Sequence, residues 1–313
     1  MWLPGSHPGS GGHVRVDSEI PIFWREPAES EPEDSGLPIS EHPTLVIKPT
    51  RGWAALNLRD LWHYRELLYF MTWRDVKVRY KQTAIGAVWA VLQPFLTMVV
   101  FSIIFGRLAK VPSDGVPYPV FSFSALLPWT FFATAITQAG TSLVTNINLV
   151  SKVYFPRLIV PTAGVLVGIV DFAVAFVVLL GMMLVYGIVP GIAVLTLPLF
   201  LLLAFMTALG ISLWLSALNV KYRDIRFTIP FLTQFWLFVT PVAYSSSMIP
   251  EKWRLLYGLN PMAGVVEGFR WALLGSEQAP GGMILVSAAV VIVLFVGGLF
   301  YFRRMEREFA DVI

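Results

Sequence analysis

Residues 74–106 restrict what this chain can fold into more than any other stretch. The first eight of them hold one acid, Asp75, and four cations: Arg74, Lys77, Arg79 and Lys81. Residues 82–106 contain no charged side chain. A helical run of about 20 apolar residues is long enough to cross the hydrocarbon core of a membrane. Because a cationic cluster beside such a run stays on the cytoplasmic side, we expect the chain to enter the membrane here from inside.

The composition indicates an all-α integral membrane protein. Hydrophobic residues make up 56% of the chain and charged residues only 14%, against an average of about 25% charged residues in soluble domains. The chain has no cysteine, which excludes disulfides, thiolate metal sites and cysteine nucleophiles. A net charge of +3 gives no indication of nucleic-acid binding.

The apolar segments predict six transmembrane helices, at about residues 82–106, 121–145, 158–186, 192–217, 227–244 and 281–302. An even number of crossings places both termini on one side. The segments assigned to the inside contain 15 Lys and Arg residues, and those assigned to the outside contain five. Because cytoplasmic loops are the ones enriched in Lys and Arg, we predict a multi-pass protein of the cytoplasmic membrane with both termini in the cytoplasm.

The first 76 residues contain two further segments. Residues 1–50 are rich in Pro, Gly, Ser and acids and lack apolar periodicity, so we expect a flexible cytoplasmic tail before a transmembrane domain at residues 51–313. Residues 57–76 predict an amphipathic helix that lies along the membrane surface, with Asn57 as its N-cap. This helix serves either as an anchor or as a docking surface for a cytoplasmic partner, and the two roles are compatible.

The sequence carries no sign of an active site. It has no P-loop motif and no H-E-x-x-H, and its predicted spans hold no paired carboxylates and no Ser/His/Asp set. We therefore predict a chain that is not an enzyme and binds no metal or cofactor. Asp171 is the only charged residue in the predicted spans. A proton or sodium carrier usually needs several such residues, so we expect Asp171 to pair with a neighbouring helix or to lie near an aqueous path.

Two predicted spans carry polar and aromatic side chains at helical spacing. The first carries Trp89, Gln93 and Thr97, and the fifth carries Thr233, Trp236, Thr240 and Tyr244. Residues three or four apart share one helix face. Such faces either pack against other helices through hydrogen bonds or line a passage. The aromatic rings favour a passage slightly, because sugar rings stack on aromatic rings.

Residues 248–277 are too charged to span a membrane and too apolar for a free loop. Pro250 and Pro261 each stand at a plausible helix start, so we predict two short helices that dip back into the outer leaflet. The residues expected there are Trp253, Tyr257, Phe269 and Trp271 near the headgroups, and Glu267 and Arg270 as an ion pair on one helix face. The segment forms either an outer gate or a surface cap.

The connector at residues 146–157 is short, basic and aromatic. Its candidate contact residues are Lys152, Tyr154, Phe155 and Arg157. It is either a plug for a cytoplasmic partner or an ordinary loop, and the residues alone do not decide between these.

Four segments in this order resemble the membrane subunits of type-2 ABC exporters, in the group that moves O-antigen, capsule or teichoic acid chains. They are RDVKVRYKQTAIGAVWAVLQP, LVSKVYFPRLIVP, VKYRDIRFTIPFLTQFWLFVTPVAY and GLNPMAGVVEGFRWALL. The resemblance covers about residues 55–313 and leaves the tail outside it. It implies a homodimer of this permease with two separate ATPase subunits, which hold the ATP and Mg²⁺.

The resemblance also implies a role for each segment. Residues 57–76 match an interface helix, with Arg59, Arg65 and Arg74 toward the ATPase, and residues 146–157 match a coupling helix. The polar faces of the first and fifth spans line the conduit, and residues 248–277 match re-entrant helices at the exit. The implied function is ATP-driven export of a lipid-linked polysaccharide. The alternatives are a type-2 ABC permease for drugs or lipids, and an ATP-independent secondary transporter, which the single buried acid and the lack of an inverted repeat disfavour.

Overall fold

The computed structural model describes residues 62–81, 86–275, 281–306 and 309. The predicted tail at residues 1–50, and Asn57 and Arg59 of the predicted surface helix, lie outside the described residues. Within the described part of the chain every regular element is a helix, in agreement with the all-α prediction.

We number the helices in chain order. They are α1 (Arg65–Lys81), α2 (Gly86–Phe101), α3 (Tyr118–Thr145), α4 (Ile147–Lys152), α5 (Ile159–Val185), α6 (Leu197–Lys221), α7 (Ile225–Val239), α8 (Glu251–Tyr257), α9 (Pro261–Leu274) and α10 (Gly281–Glu306). A π-helical segment, Ser102–Leu108, continues α2, and a 3₁₀ turn, Ile192–Thr196, precedes α6.

Five of the described helical segments are long and apolar enough to cross a membrane. They are Val91–Leu108, Tyr118–Thr145, Ile159–Val185, Ile192–Lys221 and Gly281–Glu306. The fifth predicted crossing corresponds to the shorter apolar helix α7, which has 15 residues. At 1.5 Å per residue α7 rises about 22 Å, less than the roughly 30 Å of a hydrocarbon core. The chain is a multi-pass helical membrane protein.

Helix α7 ends five residues earlier than the predicted span. Its last residue is Val239, and Thr240 adopts an extended conformation with φ −92° and ψ 142°. Thr240 precedes Pro241, and a proline disfavours the helical conformation of the residue before it. Tyr244 therefore does not lie on this helix. Its spacing from Thr233 in the sequence does not place the two side chains on one helix face.

Helix α3 lies at the centre of the bundle. It packs most extensively on α5 and α6 and also contacts α2, α7 and α9. In its most apolar window 78% of the residues are buried, against 17–33% in the other four long segments. Its mean hydropathy there, 1.5, is the lowest of the five. This is expected, because a helix that other helices surround need not be as apolar as one that faces lipid.

Helices α6 and α10 approach each other closely at two glycines. A Cβ added to Gly298 would lie 2.4 Å from the carbonyl oxygen of Gly210. One helical turn further along, Trp214 of α6 stacks on Tyr301 of α10 with 4.4 Å between the ring centroids. Small residues let two transmembrane helices meet backbone to backbone, and the close packing stabilises the pair.

Helix α1 extends five residues beyond the predicted surface helix. It packs along α5, with Met71 and Val76 buried and with Trp62, at the start of the described chain, and Trp73 exposed. The cations Arg74 and Lys81 are therefore part of this helix and do not form a separate segment before the first span.

We expect the substitution Gly298→Ala to lower the stability of the folded protein by about 1–3 kcal/mol, because the new methyl group overpacks against backbone atoms that cannot rotate away. The control is Gly181→Ala in α5, where an added Cβ meets nothing within 4 Å. That change should leave stability equal or slightly higher, since alanine favours the helix. Thermal unfolding in detergent measures both. A midpoint for Gly298→Ala at or above that of Gly181→Ala would contradict the close packing.

Candidate functional site

Asp171 forms an ion pair midway along α5. Its Oδ2 lies 2.7 Å from Arg79 Nη1 of α1, which makes the ion pair, and its Oδ1 accepts a hydrogen bond from the hydroxyl of Tyr80. The Asp171 side chain is 13% exposed and that of Arg79 is 33% exposed. Asp171 thus pairs with a neighbouring helix, the first of the two environments expected for it, and the pair joins the end of α1 to the middle of α5.

Tyr80 keeps its proton in this cluster. Burial, followed by the hydrogen bond to Asp171, raises the pKa of Tyr80 above its ordinary value of 10.0. The phenol is therefore neutral at physiological pH and acts as a donor to the carboxylate. The cluster as a whole carries one positive and one negative charge, so it is electrically balanced.

A cavity of about 170 Å³ adjoins the ion pair. Its polar and aromatic lining comes from Arg79, Asp171, Gln93, Thr97, Trp129, Thr130, Phe131, Thr134 and Phe172. The structure therefore brings Gln93 and Thr97, two residues predicted for the conduit, together with Asp171. Trp89, on the same helix, is 56% exposed and does not line this cavity.

The threonines of α3 are absent from the sequence-based prediction of the site. Their helical spacing of four, three, four and four residues was visible in the sequence as Thr130, Thr134, Thr137, Thr141 and Thr145. The two helix faces predicted for the conduit each include a tryptophan, whereas these five positions are all threonine. In the structure these threonines lie on one side of α3 and are half-buried or exposed, although α3 is the most buried of the long helices.

Three side chains predicted for the conduit, two on α7 and one just after it, are engaged inside the chain. Thr233 is buried and donates to the carbonyl oxygen of Ile229. Trp236 donates to Asn260 Oδ1 at 2.9 Å, and Thr240 is fully buried. The sequence left open whether this face packs against other helices or lines a passage. These three residues pack within the described chain. The exposed face of α7 carries Phe227, Phe231, Phe235 and Phe238 instead.

The segment after α7 is held by the guanidinium of Arg270 in α9. Arg270 donates to the carbonyl oxygens of Val242 at 2.8 Å and Tyr244 at 3.1 Å. It forms an ion pair with Glu267 at 3.1 Å, and its Cζ lies 3.7 Å from the ring centroid of Phe121. The pair expected from the three-residue spacing of Glu267 and Arg270 therefore exists, and it belongs to a larger buried cluster.

The predicted pair of short helices in residues 248–277 is present as α8 and α9, and Pro261 is the first residue of α9. Their side chains divide between surface and core. Trp253 is exposed, and the Tyr257 hydroxyl bonds that of Tyr244 at 2.7 Å. Trp271 packs edge-on against Phe200.

Phe269 corrects an expectation about this segment. We expected it near the headgroups, but it is 0% exposed and packs edge-on against Phe172 of α5. The reason is that α9 inserts between α3, α6 and α10, so this face of α9 meets other helices. Entry of α8 and α9 into the outer leaflet remains a prediction.

The connector contains the short helix α4 and divides into an exposed part and a buried part. Lys152 is exposed, and Tyr154 is 92% exposed. Phe155 is 6% exposed and belongs to the hydrophobic core, so the structure removes it from the predicted docking surface. Its aromatic ring is more stable among core side chains than in water. We define Lys152, Val153 and Tyr154 as the connector tip.

Two contacts hold the connector in place. The Nη2 of Arg74 in α1 donates to Asn146 Oδ1 at 2.9 Å. The guanidinium of Arg157 donates to the carbonyl oxygen of Glu306, at the end of α10, at 3.0 Å. Arg157 is therefore occupied within the chain, while Arg65 is exposed and interacts with the ring of Trp62.

These features define a class of protein: a helical, multi-pass membrane domain with internally paired charges, an exposed connector tip and no nucleotide-binding motif of its own. The sequence model of the ABC-2 type transporter family matches residues 66–274. Because that match covers most of the chain, the chain belongs to the ABC-2 type transporter family. The recognised resemblance to type-2 ABC exporters is confirmed.

The chain is similar to curated transport proteins over most of its length. It is 30% identical over 260 residues to the O-antigen export system permease protein RfbA of Myxococcus xanthus, covering 82% of this chain and 98% of that protein. It is 29% identical over 255 residues to the RfbA of Klebsiella pneumoniae, with 81% and 97% covered. The polysialic acid transport protein KpsM of Escherichia coli is 22% identical over 237 residues, with 74% and 91% covered.

We expect Arg79 and Asp171 to be coupled energetically. The test is a double-mutant cycle with Arg79→Gln, Asp171→Asn and the double variant, measured by equilibrium unfolding in mixed micelles. The coupling energy should be about 1–2 kcal/mol, because a third of the Arg79 side chain remains exposed to screening.

Arg65→Gln in the same helix is the control, and its combination with Asp171→Asn should be additive. A coupling below about 0.3 kcal/mol between Arg79 and Asp171, the usual scatter for independent sites, would show that the ion pair does not tie α1 to α5.

Proposed function

We propose that this chain is the permease subunit of an ATP-driven exporter that moves a lipid-linked polysaccharide, such as O-antigen, across the cytoplasmic membrane. The observation that carries the proposal is the match to O-antigen export permeases over 97–98% of their length. A match of that extent leaves almost none of the length of those relatives outside the compared region.

The source of energy follows from what the chain lacks. Its sequence contains no P-loop, so ATP and Mg²⁺ would bind a separate ATPase subunit. We propose that two copies of the permease assemble with two ATPase subunits. Movement of the ATPases would displace the connector, and the paired permeases would then open a passage for the glycan.

The connector tip is the part of the chain best suited to contact the ATPase. Tyr154 offers a large aromatic surface that is 92% exposed among the described residues, and Lys152 adds an exposed charge beside it. Aromatic side chains dominate the energetics of protein interfaces. The clustering of Lys and Arg on the same side as the connector supports a cytoplasmic location for it and for both termini.

We expect the double substitution Lys152→Glu and Tyr154→Ala to reduce co-purification of the ATPase by at least about tenfold, because the loss of an interface hot spot weakens binding by about 2 kcal/mol or more. The control is Lys252→Glu, a charge reversal at an exposed residue of α8, which should leave association unchanged. Equal recovery of the ATPase with both variants would show that the connector tip is not the docking surface.

The identity of the substrate is tested by measuring which molecule the protein exports. In a host that lacks its own permease, wild-type protein with its ATPase should restore polysaccharide at the cell surface. Trp89→Ala should slow export several-fold with normal assembly if this exposed ring contacts the glycan. The control is Leu184→Ala, an exposed apolar residue of α5, with export at the wild-type rate. Restored export of a lipid or drug without polysaccharide would favour the alternative substrate class and contradict the proposal.

A further inference from the structure

The cavity beside Asp171 continues into an unusual face of α3. Thr130 and Thr134 line the cavity, and Thr137, Thr141 and Thr145 follow on the same side of the helix toward the connector. Thr137 and Thr145 are exposed and Thr141 is half-buried. We call these five residues the threonine face. It is a polar surface along the helix that is otherwise the most buried in the bundle.

The hydroxyl protons of Thr137, Thr141 and Thr145 are used inside the helix. Thr137 donates to the carbonyl oxygen of Ala133 at 2.8 Å, Thr141 to that of Thr137 at 2.9 Å, and Thr145 to that of Thr141 at 3.0 Å. A threonine oxygen that donates its proton still accepts hydrogen bonds. This part of the face therefore presents a row of uncharged acceptors and no unsatisfied donor.

The cavity lies at the Thr130 end of the threonine face and adds an amide, an aromatic ring and an ion pair to the row of hydroxyl acceptors. Gln93 contributes an amide, Trp129 contributes an aromatic ring, and the charges of Arg79 and Asp171 compensate each other. Its volume of about 170 Å³ slightly exceeds the roughly 150 Å³ of an apolar protein cavity that binds benzene, so the space is that of one ring and not of several. A balanced, polar and aromatic cavity of this size suits a neutral ring that bears hydroxyl groups.

We propose that the cavity and the threonine face together form one track for the sugar rings of the exported glycan, with a single ring held in the cavity at a time. This inference rests on the proposed function and names the surface that the substrate contacts. An alkyl chain would gain nothing from a row of acceptors. Hydroxyl groups of a sugar supply the donors that the row accepts, through bonds weak enough to be exchanged as the chain advances.

The hydroxyl groups are tested by replacing threonine with the isosteric valine. The double variant Thr134→Val and Thr137→Val should lower the rate of polysaccharide export about threefold to tenfold, the range expected for losing one or two neutral hydrogen bonds. The double variant with serine at both positions retains the hydroxyls and should export at close to the wild-type rate. Thr207→Val is the matched control, because Thr207 of α6 makes the same bond to a backbone carbonyl but is fully buried.

The track also predicts access to water, which is measured without transport. Because the chain has no native cysteine, single cysteines can be placed at Thr137, Thr141 and Val177, an exposed residue of α5. A charged methanethiosulfonate reagent reacts with the thiolate, which forms only in contact with water. In membrane vesicles the cysteines at 137 and 141 should react at least about tenfold faster than the one at 177.

The results of these experiments distinguish failure of the proposed track from failure of the proposed function. Normal export by the wild type together with unchanged export by the valine variant would overturn the track and leave the function standing. Equal reactivity of the cysteines at 137 and 177 would also overturn it. Failure of the wild type to export any polysaccharide would overturn the proposed function, and the glycan track with it.

Discussion

The ion pair between Arg79 and Asp171 shows the constraint on which this structure depends. Inside an apolar bundle a charge has little water to stabilise it, so it must find a partner on another segment. Asp171 meets this requirement by binding the end of α1, and Arg270 meets it by holding the segment after α7. Asp171 and Arg270 therefore join parts of the chain that are distant in sequence: α5 with the end of α1, and α9 with the segment after α7.

Helix α3 connects the regions to which we assign function. It begins at Tyr118, whose hydroxyl donates to the carbonyl oxygen of Ala243, and it ends at Thr145, one residue before Asn146 and the connector. The same helix carries the threonine face and lies in the middle of the bundle. A displacement of the connector would thus act directly on the helix that we propose to contact the glycan, without any intermediate element. This arrangement places the proposed energy input and the proposed track on elements that follow each other in the chain.

Much of the architecture was predictable because the forces that produce it are local. Charge-free runs predicted five long helices to within a few residues at most ends, and Pro261 correctly indicated the start of α9. The site was less predictable. Phe155 and Phe269 were assigned to surfaces because aromatic residues beside charges suggested interfaces, but both pack in the core. The spacing of these residues in the sequence does not indicate which face of a short helix packs against its neighbours.

The sequence by itself determined that this chain is a helical membrane protein without a P-loop motif, since hydropathy, the distribution of Lys and Arg and the motifs present are properties of the residues alone. Only the tertiary structure decided that Asp171 binds Arg79, that α3 is central, and that Thr137 is exposed while Thr233 is buried. These facts depend on which helices are neighbours. Contacts between distant segments are set by the packing of whole helix faces, and no single segment contains that information.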